Sequence, residues 1–215
     1  GSEMCIRDST TAGTALLRGR GEPSGKFSDI EWVFGACAGA ALYRRLIFKD
    51  IGLFDEDFFL LYEDVDLSFR AQLRGYKCLY VPDAIVYHKA SGSIGEDTST
   101  SVYYSHRNLE WVYIQNMPNS FIAKTILPHL IYVFAAFLFF VLKGRPIEFI
   151  KAKWHAFKGL KRALAKRKVV QVNKKVTDDY MWSLLVKERL LPRLIRRISM
   201  VPKTYSGSDP GHKRA

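Results

Sequence analysis

Apolar residues along this chain change their period several times, and each change marks an element. Residues 31–43, EWVFGACAGAALY, are apolar and small; they predict a buried strand, a close backbone approach at Gly35 and Gly39, and a second short strand. Those small residues either permit tight packing or leave room for a ligand, and the pattern alone does not decide. RRLIFKDIG (44–52) predicts a short helix ended by Gly52. An acidic, aromatic loop (54–64) then leads into the best-patterned stretch, LLYEDVDLSFRAQLR (60–74), where Val65, Leu67, Phe69 and Leu73 can face a core. Gly75 closes that helix. KCLYVP (77–82) and IVYHKA (85–90) read as strands split by a Pro-Asp-Ala turn, and 91–101 as a flexible loop. Residues 103–116 predict a helix with His106 and Arg107 on its surface. Strand, helix, strand, helix, strand, strand is an α/β order.

Beyond it the pattern becomes helical throughout. Residues 126–142, ILPHLIYVFAAFLFFVL, carry no formal charge and are flanked by Lys124, Lys143 and Arg145. Their length sits at the short edge of a membrane span, which takes roughly 17–25 residues; the alternative is a buried core helix. Next, Ile147, Ile150, Trp154, Phe157, Leu160 and Leu164 recur at helical steps among crowded lysines and arginines. An aromatic stripe with a basic remainder suits a helix lying in an anionic membrane surface, or else one packed on its own domain. Residues 180–197 predict another basic helix broken at Pro192, and 204–215 disorder. At the other end, residues 1–20 show no apolar strand and read as a stretch foreign to the fold, followed by a Gly- and Pro-rich loop (18–29).

At 215 residues with 48% hydrophobic positions, the chain can bury one good core and is not a disordered chain. Its net charge of +12 is unevenly placed: residues 1–142 sum to −3 and residues 143–215 to +15. The basic end should attract phosphates. Cys5, Cys37 and Cys78 show no metal or redox spacing, and no secretory signal opens the chain, which fits a reduced, cytoplasmic setting.

Candidate chemistry gathers at Glu63, Asp64 and Asp66. Negative charge in a first helical turn is favoured by the positive end of the helix dipole. A carboxylate held on a rigid element beside a pocket is what a general base requires. Read blandly, acids simply suit helix starts, with Asp66 and Arg70 as an i,i+4 pair. His88, near the end of a predicted strand, is a structural residue or a ligand.

The ordered run from Val33 to Ser93 (the Gly-Ala strand, the Phe-Asp-Glu loop, the Glu-Asp-x-Asp-Leu helix start ending in Arg70, and the strand carrying His88) resembles glycosyltransferase family 2, closest to bacterial rhamnosyltransferase-like members. The resemblance implies a GT-A fold and transfer of a sugar, rhamnose by likeness, from a nucleotide-sugar donor to a glycan or polyprenyl-linked acceptor of the cell surface. It implies Asp64 as catalytic base with Glu63 beside it, and a pocket bordered by Asp66, Arg70, Gly35 and Ala36. It further implies inversion at the anomeric carbon and a Mg²⁺ or Mn²⁺ ion held in part by His88. No Asp-x-Asp following a strand precedes residue 54, so the chain reads as an acceptor half without a donor site, inactive alone. Since nucleotide sugars and the basic tail both belong on the cytoplasmic face, residues 126–142 are expected to form a shallow or re-entrant helix bent at Pro128 and His129.

The expectation is thus a partial GT-A, Rossmann-like α/β fold (21–118), a membrane-associated all-α region (119–200) and a disordered tail (201–215). The competing classes are a basic module binding membrane or nucleic acid without catalysis, and a membrane-associated scaffold. An apolar stripe between the basic residues makes nucleic acid the poorer partner.

Overall fold

The computed structural model describes residues 6–18, 26–86, 94–95 and 97–187. The first of these segments corrects the expectation that the N-terminus lies outside the fold. β1 (Ile6–Ser9) and β2 (Ala15–Leu17) form an antiparallel hairpin, Arg7 opposite Leu17 and Ser9 opposite Ala15. Asp8 is buried and accepts two 2.8 Å hydrogen bonds from Arg18. Gly13, at φ +79°, turns the hairpin where an added Cβ would lie 2.8 Å from the Tyr113 ring. Strands this short, with a salt bridge in place of alternating apolar residues, carry no readable period.

β4 (Gly35–Ala36) joins the other edge of β1, giving the order β2-β1-β4. β3 (Glu31–Val33) pairs with β5 (Cys78–Tyr80) in a separate ladder. The mixed α/β character holds, but the strand pairs of both sheets are antiparallel rather than the parallel crossovers of a Rossmann-like half. Residues 85–86 lie in no strand, and 87–90, the rest of that predicted strand, fall outside the described residues.

α1 (Arg45–Ile51) ends at Gly52, and α2 (Glu63–Leu73) buries Val65, Leu67, Phe69 and Leu73 as the pattern predicted. α3 (Ser99–Asn116) is the spine on which α5 (Pro146–Lys158) and α6 (Leu160–Val172) both pack. His106 is therefore not a surface residue, and Arg107 is half-buried. His106 is buried with its ring 5.0 Å from Phe140 and 4.7 Å from Phe149, and Arg107 reaches inward to backbone carbonyls. The single amphipathic helix expected after residue 147 is two, meeting at Gly159. A Cβ there would stand 2.6 Å from the Trp111 ring, whose Nε1 donates to the Ala156 carbonyl at 3.1 Å.

The packed face of α5 and α6 is Phe149, Ala152, Ala156 and Ala163. The apolar stripe lies elsewhere: Ile147, Ile150, Trp154, Phe157 and Leu164 are 44–65% exposed. α4 (Asn119–Leu142) is similarly two-faced. Phe121, Thr125, His129, Ala136, Phe139 and Phe140 are buried, whereas Leu127, Leu130, Ile131, Phe134, Leu138 and Leu142 are exposed. It runs unbroken with Pro128 inside, so the residue does not interrupt the helix, and its length and composition suffice for a membrane crossing. α7 (Asp178–Leu184) is shorter than the predicted 180–197 helix; residues 188–215, including the predicted break at Pro192 and the predicted disorder, lie outside the described residues.

Candidate active site

The site is assembled by an irregular loop, a short helix start and a glycine-alanine segment. Residues Phe59, Leu61 and Tyr62 all adopt positive φ, at 58°, 64° and 71°. Three non-glycine residues in that region within four positions represent stored strain, of order 1–3 kcal/mol each, which surrounding contacts must hold. Asn108 supplies them. It is fully buried, and its Nδ2 lies 2.9, 2.8 and 2.7 Å from the carbonyls of Phe58, Leu60 and Leu61. Its neighbour Arg107 donates to the carbonyls of Asp57 and Phe58 at 2.8 and 3.0 Å, and to Asn108 Oδ1. α3 thereby fixes the chain immediately before Glu63 and Asp64. The sequence offered no signal for this, since 47–50 positions separate Asn108 from its partners.

Asp64, the second residue of α2, is 2% exposed. Its Oδ2 accepts a long 3.4 Å hydrogen bond from the Ala38 amide, at the turn that follows β4. Gly35 and Ala36 are thus brought to the acid pair, though they serve there as a strand paired with β1. Small residues at this point let the backbone approach the carboxylate closely. Ser68 Oγ donates to the Asp64 carbonyl at 2.7 Å, tightening the helix start. Glu63, one position earlier, is partly exposed.

Asp66 faces inward, while Arg70 borders an open cavity of about 540 Å³ with Leu53, Phe54 and Lys166. Asp66 is 1% exposed; Oδ2 accepts from Arg70 Nε at 2.7 Å and Oδ1 from Asn116 Nδ2 at 2.8 Å. Burial drives its carboxyl upward, against the downward pull of Arg70 and Asn116. Arg70 also donates to the carbonyls of Ile51 and Leu53, clamping the end of α1 to α2. Both residues hold the frame of the site.

A residue the sequence did not single out completes it. Tyr43 stacks edgewise between Phe48 and Phe54, at 5.5 and 5.9 Å. Burial raises its phenol well above the usual range, and the nearby charge of Asp64 adds to the rise. The hydroxyl is buried and makes no hydrogen bond among the described residues.

His88 lies outside the described residues. Among the described residues no three acids, histidines or cysteines converge as a metal would require.

The family model of the glycosyl transferase family group 2 matches residues 29–144 and so contains β3 through α4 and every part of this site. The chain belongs to that family. The family's shared region thus includes the strained loop and the Asp64 turn, while α5, α6 and the β1–β2 hairpin lie outside it. An N-acetylglucosaminyl-diphospho-decaprenol L-rhamnosyltransferase from Mycobacterium tuberculosis, in two strains, is 37% identical over 95 residues, covering 44% of this chain. The chain spans 29% of the length of those curated relatives. No solved structure matches it.

Proposed function

We propose that this chain carries the acceptor side of a sugar-transferring enzyme that moves a hexosyl group, rhamnose by analogy with its relatives, from a nucleotide sugar to a polyprenyl-diphosphate-linked or other surface glycan acceptor. One observation carries the reading: a buried carboxylate at the start of α2, beneath the Ala38 amide, in a family of glycosyl transferases. Asp64 takes the proton of the acceptor hydroxyl as its oxygen bonds to the anomeric carbon and the bond to the nucleoside diphosphate breaks. One base and one displacement invert the anomeric centre. Tyr43 orients the incoming hydroxyl, and Glu63 borders it. A Mg²⁺ or Mn²⁺ ion, with His88 as the candidate ligand, belongs to the resemblance; the donor set described here gives it no step.

We place the enzyme on the cytoplasmic face of a membrane, monotopically. Because α4 is buried along one face from Phe121 to Phe140, lipid can reach only its other face, which favours lying on the bilayer over crossing it. The outward stripe of α5 supports the same surface. A nucleic-acid partner is disfavoured because the exposed cations are interleaved with exposed Ile150, Trp154 and Phe157. The test is the stereochemistry of the product. With a protein containing this chain, a nucleotide-rhamnose of defined anomeric configuration and a polyprenyl-diphosphate-linked N-acetylglucosamine, the product read by NMR is inverted; a retained configuration or no rhamnosylated lipid overturns the proposal.

A further inference from the structure

Where the family region meets the helices beyond it, α3, α5 and α6 enclose an open cleft of about 680 Å³. Arg107, Lys158, Lys161 and Arg162 line it together with Trp111 and Tyr103, and no carboxylate is among the lining residues. The guanidinium of Arg107 lies 4.3 Å from the Trp111 ring centre and that of Arg162 lies 5.2 Å from it, so an aromatic floor holds two cations side by side. Among the described residues Arg107's hydrogen-bond acceptors are neutral oxygens, of Asp57, Phe58 and Asn108. Among the described residues its charge has no carboxylate partner.

Two connections define what the cleft suits. Arg162 pairs with Asp57 at 2.8 Å and Arg107 holds the Asp57 carbonyl, so two lining residues tie the cleft to the loop that runs on to Glu63 and Asp64. On the other side Lys158 reaches over Trp154 at 5.3 Å, and Trp154 stacks on Phe157 at 6.1 Å, both rings exposed. Cations in a cleft with an apolar ridge at its rim match an amphiphile with a multiply charged phosphate head and a hydrocarbon tail. We propose that this cleft binds the diphosphate of a polyprenyl-linked lipid, with the tail over Trp154 and Phe157 and the head directed along the Asp57 loop toward Asp64. The proposal rests on the lipid-linked acceptor of the preceding reading, and binding can be scored without transfer.

The experiment measures binding of the full chain to neutral phosphatidylcholine vesicles doped with undecaprenyl diphosphate, and to matched vesicles in which phosphatidylglycerol supplies the same charge. A double variant, Lys158→Gln with Lys161→Gln, removes two lining charges; Lys151→Gln with Lys168→Gln removes two exposed charges from the same helices outside the cleft. The cleft pair is expected to weaken binding to diphosphate vesicles about tenfold or more, and the control pair less than about threefold. Equal loss in both pairs shows bulk attraction and overturns the proposal. So does a loss by the cleft pair that is as large on phosphatidylglycerol, because the site then reads any anionic lipid. Asp64→Asn is expected to bind like the parent. Cleft-dependent binding by a protein without transferase activity would sink the functional reading and leave the cleft standing.

Discussion

Single residues divide here into those that perform the proposed chemistry and those that hold the frame. Asn108 is the strongest of the second group. Asn108→Ala would leave the Leu60 and Leu61 carbonyls of a strained loop without their donor, Arg107 still holding that of Phe58, and a loss of about 3 kcal/mol in urea unfolding is expected. Tyr43→Phe should do the opposite. Removing a buried hydroxyl without a protein partner should leave stability unchanged or raise it by up to about 1 kcal/mol, while lowering transfer about tenfold. Unfolding and transfer assays on the same variant check both halves. At this scale Asp64 was legible, because a helix start announces its acids locally. Asp66 was readable only as the partner of Arg70. Its bond to Asn116, like Asn108's reach to the loop, spans 50 positions, and no local pattern encodes such a contact.

Among elements, α1 and α2 were legible because glycines mark their ends and apolar residues their inner faces. The β1–β2 hairpin was not, since its centre is the Asp8–Arg18 pair rather than an alternation. The α5–α6 junction was obscured by a stripe that points outward while small residues do the packing. Gly159→Ala would push Trp111 off the junction, and a loss of about 2 kcal/mol is expected by thermal unfolding. Glu110 joins α3 to α4 and α5, hydrogen-bonded to His129 Nε2 at 3.0 Å and paired with Lys153. Burial alone would raise its carboxyl, but His129 and Lys153 outweigh it and hold it at about 2. Burial lowers Lys153 more than Glu110 restores it, so the triad contributes less than the carboxylate shift alone implies. A depressed carboxyl contributes stability above its unfolded value, near 4.3, and loses it as pH falls toward about 2. The parent should therefore lose stability between about pH 5 and 2, and Glu110→Gln should flatten that slope in denaturant melts.

At the scale of the molecule, apolar faces on α4 and on α5 are uncovered among the described residues. Both belong to helices that bury a different face, Phe121 to Phe140 on α4 and Phe149, Ala152 and Ala156 on α5. Burying one large apolar side chain is worth roughly 1.5–3 kcal/mol. Trp154→Ala with Phe157→Ala should accordingly weaken partition of the chain onto phosphatidylcholine–phosphatidylglycerol vesicles by about a hundredfold, with secondary structure by circular dichroism unchanged. Hydropathy located α4 and the stripe in the sequence, whereas which of their faces is packed is read only from the structure.

The central claim is that Asp64 takes the acceptor proton while Asp66 holds the frame. It is tested most directly by comparing Asp64→Asn and Asp66→Asn in a protein containing this chain, with rhamnosyl transfer and unfolding measured on each. Asp64→Asn is expected to lose transfer by about 10²–10⁴-fold with its melt unchanged, and Asp66→Asn to lose several kcal/mol of stability. Transfer retained by Asp64→Asn at the parental rate would contradict the account.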